Sequence, residues 1–317
     1  MSERISRRQA LSCLGAWSGA GIVWGVVGGV PRAFGMAAER KAHTASFTFV
    51  QVSDTHIGFN KEANPDALGS LRRCIADVNA LAVRPAFVAH TGDITHLSKP
   101  AEFDLANQVF GELRVDRVHY VPGEHDALDN GLAGYLAHHG KAGGGKSWYS
   151  FDDHGVHFVA LDNVVDYTAG RMPSLGDQQL RWLEKDLATR PASTPIVVLA
   201  HIPLWTVYEP WGWGTADADR ALAALRRFGS VTVLNGHIHQ VLQKVEGNVT
   251  FHTAMSTAYP QASPGPAHSP GPLKVAAGEL GKVIGTREVT VVRGSRQLAT
   301  VDRPIDGTTD TAMRAAS

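Results

Sequence analysis

Residues Phe47–His56 read FTFVQVSDTH. Phe47 to Val52 has the aromatic and β-branched composition of a buried strand, and Asp54 and His56 fall just beyond its end. A strand that stops and presents a carboxylate and an imidazole marks a functional edge, because in open α/β sheets chemistry gathers beyond the carboxyl ends of the strands. The pattern then repeats. Ala67 to Leu81 has helical spacing, with Leu68, Leu71, Ile75, Val78 and Leu81 forming an apolar stripe. Ala86 to Ala89 predicts a second strand, followed by Gly92-Asp93, and a helix is expected from Pro100 to Leu113. Val118 to Val121 predicts a third strand running into VPGEHD, which displays Glu124, His125 and Asp126. Strand–helix–strand repetition of this kind specifies an α/β fold.

The second half continues less regularly. Val156 to Leu161 is strand-like, and Asp177 to Leu187 is an amphipathic helix with Asp177 expected as its N-cap. Ile196 to Leu199 leads to His201, and Val231 to Leu234 leads to Gly236-His237-Ile238-His239. Val249 to Phe251 and Val283 to Val292 predict further strands. Gly140 to Ser147, GKAGGGKS, literally matches a phosphate-binding loop, but no strand precedes it and no helix follows, so it is expected to be a loop opening a hairpin.

The chain has 317 residues, 44% hydrophobic and 19% charged, the composition of a globular protein. Its first residues are basic, with Arg7 and Arg8 inside SRRQAL, then a weakly hydrophobic span from Leu11 to Val30 containing six glycines, then Ala33, Gly35 and Ala37. This resembles a twin-arginine export signal over residues 1–37. The expected location is periplasmic or secreted by the twin-arginine export machinery, or membrane-anchored if the signal is not cleaved. Residues 1–37 hold four basic residues and one acidic, so the remainder, with 26 Lys+Arg against 29 Asp+Glu, is near −3. That is no nucleic-acid footprint. Cys74 alone remains in the mature chain, which excludes an intramolecular disulfide framework. One catalytic domain is expected over residues 44–295, with a Pro/Gly-rich loop over 259–272 and a disordered tail over 307–317.

Five strand ends thus deliver Asp54 and His56, Asp93, Glu124 and His125, His201, and His237 and His239. Imidazoles and carboxylates without cysteine suit Zn, Mn, Fe or a mixed pair. Leaving His125 aside, seven donors are too many for one catalytic ion with an open position, and about right for two ions sharing a bridging carboxylate.

The order Asp-x-His, Gly-Asp, Gly-Asn-His-Asp, His and Gly-His-x-His is the signature that this chain resembles, that of the calcineurin-like metallophosphoesterases. The resemblance implies two β-sheets sandwiched between helices, with the metal site at the carboxyl ends of the strands. It also implies that Asp54, His56 and His239 hold one ion, that Asp93 bridges, and that position 124, His201 and His237 hold the other. His125 would face the leaving group, with Asp126 orienting its ring. The reaction implied is hydrolysis of a small-molecule phosphoester by metal-activated hydroxide.

The departure is Glu124, where the family has Asn. A third carboxylate should disfavour a phosphate dianion, so phosphodiesters are expected over monoesters. The alternative is a metal-binding protein of the same fold with its catalysis lost or redirected. Among the other histidines, His96 and His252 are the first candidates for a direct role. In LWTVYEPWGWG, Trp205, Tyr208, Trp211 and Trp213 are candidates for a pocket wall.

Overall fold

The computed structural model describes residues 22–27, 30–35, 46–292 and 298–306. Two compact units are distinguished, the first comprising residues 1–46 and 292–294 and the second the rest. In the first, β1 (Ile22–Val27) and β2 (Val30–Gly35) form an antiparallel ribbon. Arg7, Arg8 and the start of the hydrophobic span lie outside the described residues, as does the tail from 307.

The second unit holds two sheets. One has the order β13 (Ala299–Pro304), β12 (Gly285–Val291), β3 (Phe47–Val52), β4 (Val88–Thr91), β5 (Val118–Val121), with β3, β4 and β5 parallel. The other has the order β10 (Leu242–Glu246), β11 (Val249–Thr253), β9 (Val231–Asn235), β8 (Ile196–Ala200), β7 (Val156–Leu161), β6 (Tyr149–Asp153). Its four central strands are parallel, and its edge strands β10 and β6 run antiparallel.

Alternation along the strands sorts the side chains into layers. Phe49 and Ala89 from one sheet and Phe158, Ala160, Val197, Leu199 and Leu234 from the other fill the space between the sheets. Val50, Val52 and Val88 point the opposite way, onto α1 (Ala67–Asn79) and α2 (Pro100–Phe110) through Leu71, Ile75, Phe103 and Ala106. Val159, Val198 and Val233 likewise meet α4 (Asp177–Ala188) and α5 (Ala218–Leu225). A shorter helix, α3 (Ala133–His139), adds Tyr135 to the first outer layer. The result is helices, sheet, sheet, helices, the architecture the family resemblance implies.

Two local expectations need correcting. Asp177 is not the cap of α4: Gly176 holds that position, and the carboxylate that receives the Leu175 and Gly176 N–H groups belongs to Asp217. The second strand begins two residues later than expected, because the ladder to β3 pairs Val88 to His90 and leaves Ala86 outside. Residues 140–147 form successive turns before the β6–β7 hairpin, with no helix after them, so no phosphate-binding loop exists there.

Candidate metal centre

The parallel strands β3, β4 and β5 of one sheet and β8 and β9 of the other end on one side of the sandwich. Asp54 and His56 follow β3, Asp93 follows β4, Glu124 follows β5, His201 follows β8, and His237 and His239 follow β9. All seven side chains are buried. Asp54, His56, Asp93 and His239 bring their ligand atoms together, as do Glu124, His201 and His237.

The backbone is bent sharply to achieve this. Seven non-glycine residues have positive φ among the described residues, and five of them are Asp54, His56, Asp93, His237 and His239. Each left-handed residue outside glycine is held at some cost by its surroundings, and such strain concentrates at functional sites. Close approach also demands glycine at two points. A Cβ at Gly123 would collide with the carboxylate and amide of Asp93, and one at Gly236 would collide with Ser53 and Asp54.

Proton positions follow from the partners. A carbonyl can only accept, so Nδ1 of His201 donates to Thr91 (2.7 Å) and Nδ1 of His239 donates to Tyr259 (2.6 Å). In the neutral rings each Nε2 is then a lone pair facing inward. His239 Nε2 lies 3.2 Å from His56 Nε2 and 3.3 Å from Asp54 Oδ1. His201 Nε2 lies 2.8 Å from Glu124 Oε2, and His237 Nδ1 lies 2.9 Å from Glu124 Oε1. Despite these distances, Glu124 Oε2, His201 Nε2 and His237 Nδ1 are buried without hydrogen-bond partners. Electron-rich atoms converging in a buried site are stabilised by a cation between them. The donor set therefore fits metal ions, and its two clusters fit two.

Asp93 sits between the clusters. Its Oδ2 is 3.5 Å from His56 Nε2 and 3.4 Å from His201 Nε2, while Oδ1 accepts the His125 N–H at 2.9 Å. Without ions, protons respond to the same field. Burial alone would lower His201, but Asp93 and Glu124 outweigh it and hold the imidazole well above its usual range. Burial would raise Glu124, yet His237 and His201 hold it well below the ordinary carboxylate range. Burial lowers His56 strongly, helped by His125, His239 and His96.

His125 stands beside the cluster, its ring 4.6 Å from that of His56. Burial works against its charged form, but Asp93, Glu124 and the His96 carbonyl raise it above the usual imidazole value. The expectation that Asp126 orients this ring does not hold. Nδ1 of His125 donates to the His96 carbonyl at 2.7 Å. The Asp126 carboxylate is filled instead by the N–H groups of Gly123, Ile94 and Thr95 and by the Thr95 hydroxyl. Asp126 clamps the β4 and β5 loops together and has no oxygen left for the imidazole.

Two tyrosines absent from the sequence argument belong here. The Tyr259 ring stacks on His56 at 4.8 Å, and its hydroxyl lies 3.2 Å from His56 Nε2. Burial raises the Tyr167 phenol, and Glu124 and Asp93 raise it further, which places Tyr167 within the field of the cluster. Its position after β7, another strand end, was the available signal. Trp213 is buried with its ring 6.4 Å from His237, and Trp211 and Tyr208 continue outward from it. Trp205 packs on Phe251 in the helix–sheet core, and His252 lies on β11 with Arg287 and Asp302 as its charged neighbours. Neither joins the site.

The family model described as calcineurin-like phosphoesterase matches residues 47–241, the segment that carries all seven donors. The chain belongs to this family. Among curated relatives, a probable glycerophosphodiester phosphodiesterase, GpdQ, of Arcobacter nitrofigilis is 27% identical over 219 residues, covering 66% of this chain and 78% of the relative. A probable cyclic nucleotide phosphodiesterase of Rhodococcus erythropolis is 24% identical over 218 residues, covering 67% and 71%. A dimetal phosphatase from Danio rerio shares the fold with a TM-score of 0.58 at 18% identity, covering 81% of this chain and 98% of that one. This calcineurin-like chain is a metal-dependent phosphoester hydrolase.

Proposed function

We propose that this phosphoesterase hydrolyses small-molecule phosphodiesters in preference to monoesters, using a pair of Fe, Mn or Zn ions or a mixed pair. The observation carrying the preference is Glu124, whose two oxygens lie against His201 and His237 and bring the cluster to three carboxylates with Asp54 and Asp93. A phosphodiester brings one negative charge to that site, a monoester up to two, and the repulsion grows with each. Relatives named for glycerophosphodiester and cyclic nucleotide cleavage support the same reading.

Two bound cations would supply charge for the phosphoryl oxygens and acidify water for in-line attack. The protein's own part is positioning and proton transfer. Asp93 and Glu124 favour the protonated form of His125, and the His96 carbonyl occupies its Nδ1 proton. Its Nε2–H remains to protonate the departing alkoxide.

Metal-loaded protein assayed on matched panels should therefore show a higher kcat/KM for phosphodiesters, and chelation should abolish turnover. His125→Ala should lose more rate on alkyl esters than on nitrophenyl esters, because only the poor leaving group needs the proton. A monoester preference would overturn the diester assignment, and equal losses on both leaving groups would remove the acid role.

Residues 1–37 are proposed to direct export to the periplasm through the twin-arginine machinery. Fractionation tests this: replacing both Arg7 and Arg8 with Lys should retain the protein in the cytoplasm. Unchanged export of that variant would exclude the route.

A further inference from the structure

The site imidazoles differ in what holds their second nitrogen. His201, His239 and His125 each give Nδ1–H to a backbone carbonyl, of Thr91, Tyr259 and His96 respectively. His56 does not. Its Nδ1 faces Nδ1 of another side chain, His96, at 3.4 Å. We propose that His96 is the positioning residue of this centre, its side chain setting the tautomer and aim of His56 while its carbonyl sets those of His125.

The assignment rests on His56 being a ligand of the first ion. His56 Nε2 points at the cluster, 3.5 Å from Asp93 Oδ2 and 3.2 Å from His239 Nε2. If Nε2 gives its lone pair to a cation, the ring's proton must be on Nδ1, where it can only be donated. The atom available to receive it is His96 Nδ1, which must then be the unprotonated nitrogen. Partners of this kind fix ring orientation and raise ligand basicity.

Packing reinforces the geometry. His96 stacks on His125 at 5.0 Å with the planes 14° apart, and meets His56 and Phe59 edge to face at 5.5 and 5.2 Å. His56, His96 and His125 also bring nitrogen atoms close enough to suggest a metal site of their own. A separate ion held by the facing Nδ1 atoms of His56 and His96 would displace the proton that leaves His56 Nε2 free for the first ion, so a hydrogen-bonding role uses the atoms better. One residue thus couples an ion ligand to the proposed acid.

Two substitutions separate the acceptor from the ring. His96→Phe keeps the stacking but has no acceptor, whereas His96→Asn offers a carbonyl oxygen near the place of Nδ1. Mn2+ and, in parallel, Zn2+ are titrated calorimetrically into metal-stripped full-length protein, with bound metal counted by elemental analysis and folding checked by thermal melting. His96→Phe should bind the first ion roughly 10- to 100-fold more weakly, with His96→Asn close to wild type. In kinetics at saturating metal, His96→Phe should lower kcat more than it changes KM. Wild-type affinity in His96→Phe overturns the assignment, and so does equal weakening in Phe and Asn. His56→Ala is the control: if it still binds both ions, the ligand reading of His56 is what has failed.

Discussion

Asp93→Asn should lower phosphoesterase turnover by roughly a thousandfold or more and reduce bound metal from two ions to one. Among the described residues, this carboxylate is the one side chain whose oxygen lies within 3.5 Å of nitrogens from both clusters. A carboxylate can give lone pairs to two cations and still carry the charge that holds them together. The amide keeps one oxygen, and it can still accept the His125 N–H as Oδ1 does now. The loop that carries His125 should therefore stay in place, and the loss should report the missing charge and bridge. Losing several kcal/mol of transition-state charge stabilisation, about 4, corresponds to that thousandfold. Elemental analysis beside steady-state kinetics checks it. Two ions retained with full turnover would show that Asp93 does not bridge.

The centre was legible in the sequence because each donor lies one to four residues past a strand that is itself readable. Phe47–Val52, Val118–Val121 and Val156–Leu161 are strands with the expected bounds, since β-branched and aromatic residues are abundant in each of them. The elements missed are those whose residues do not pack that way. β10, LQKVE, is exposed along its whole length and pairs only at the sheet edge. Short helices such as Ala133–His139 carry too few turns to show a period. In the site, the unread parts come from long-range closure. Tyr259 meets His56 across 203 positions of sequence, and the bond from His125 to the His96 carbonyl spans 29. A carboxylate next to a histidine in sequence suggested a pair, but the turn Glu124–Asp126 sends Asp126 into the backbone instead.

Glu124 is where this chain leaves its family's pattern, and Glu124→Asn should have two opposed effects. Metal affinity at the second cluster should fall at least about tenfold, because a neutral amide replaces the anion lying against His201 and His237. The ratio of diester to monoester kcat/KM, measured at saturating metal, should move toward monoesters by roughly ten- to a hundredfold. A unit charge about 5 Å from the phosphoryl group is worth around 3 kcal/mol at an effective dielectric of 20, before the ions screen it. A monoester dianion meets that repulsion twice and a diester once, so the ratio reports one such increment. The native residue would then hold its ions more tightly and exclude dianions, whereas the amide would hold them less tightly and admit both. Asn is one methylene shorter and carries no charge, so the metal-stripped protein loses the anion that His201 and His237 stabilise, and its melting temperature should fall. An unchanged diester-to-monoester ratio, with both ions bound, would mean that the substrate's charge is read somewhere other than at Glu124.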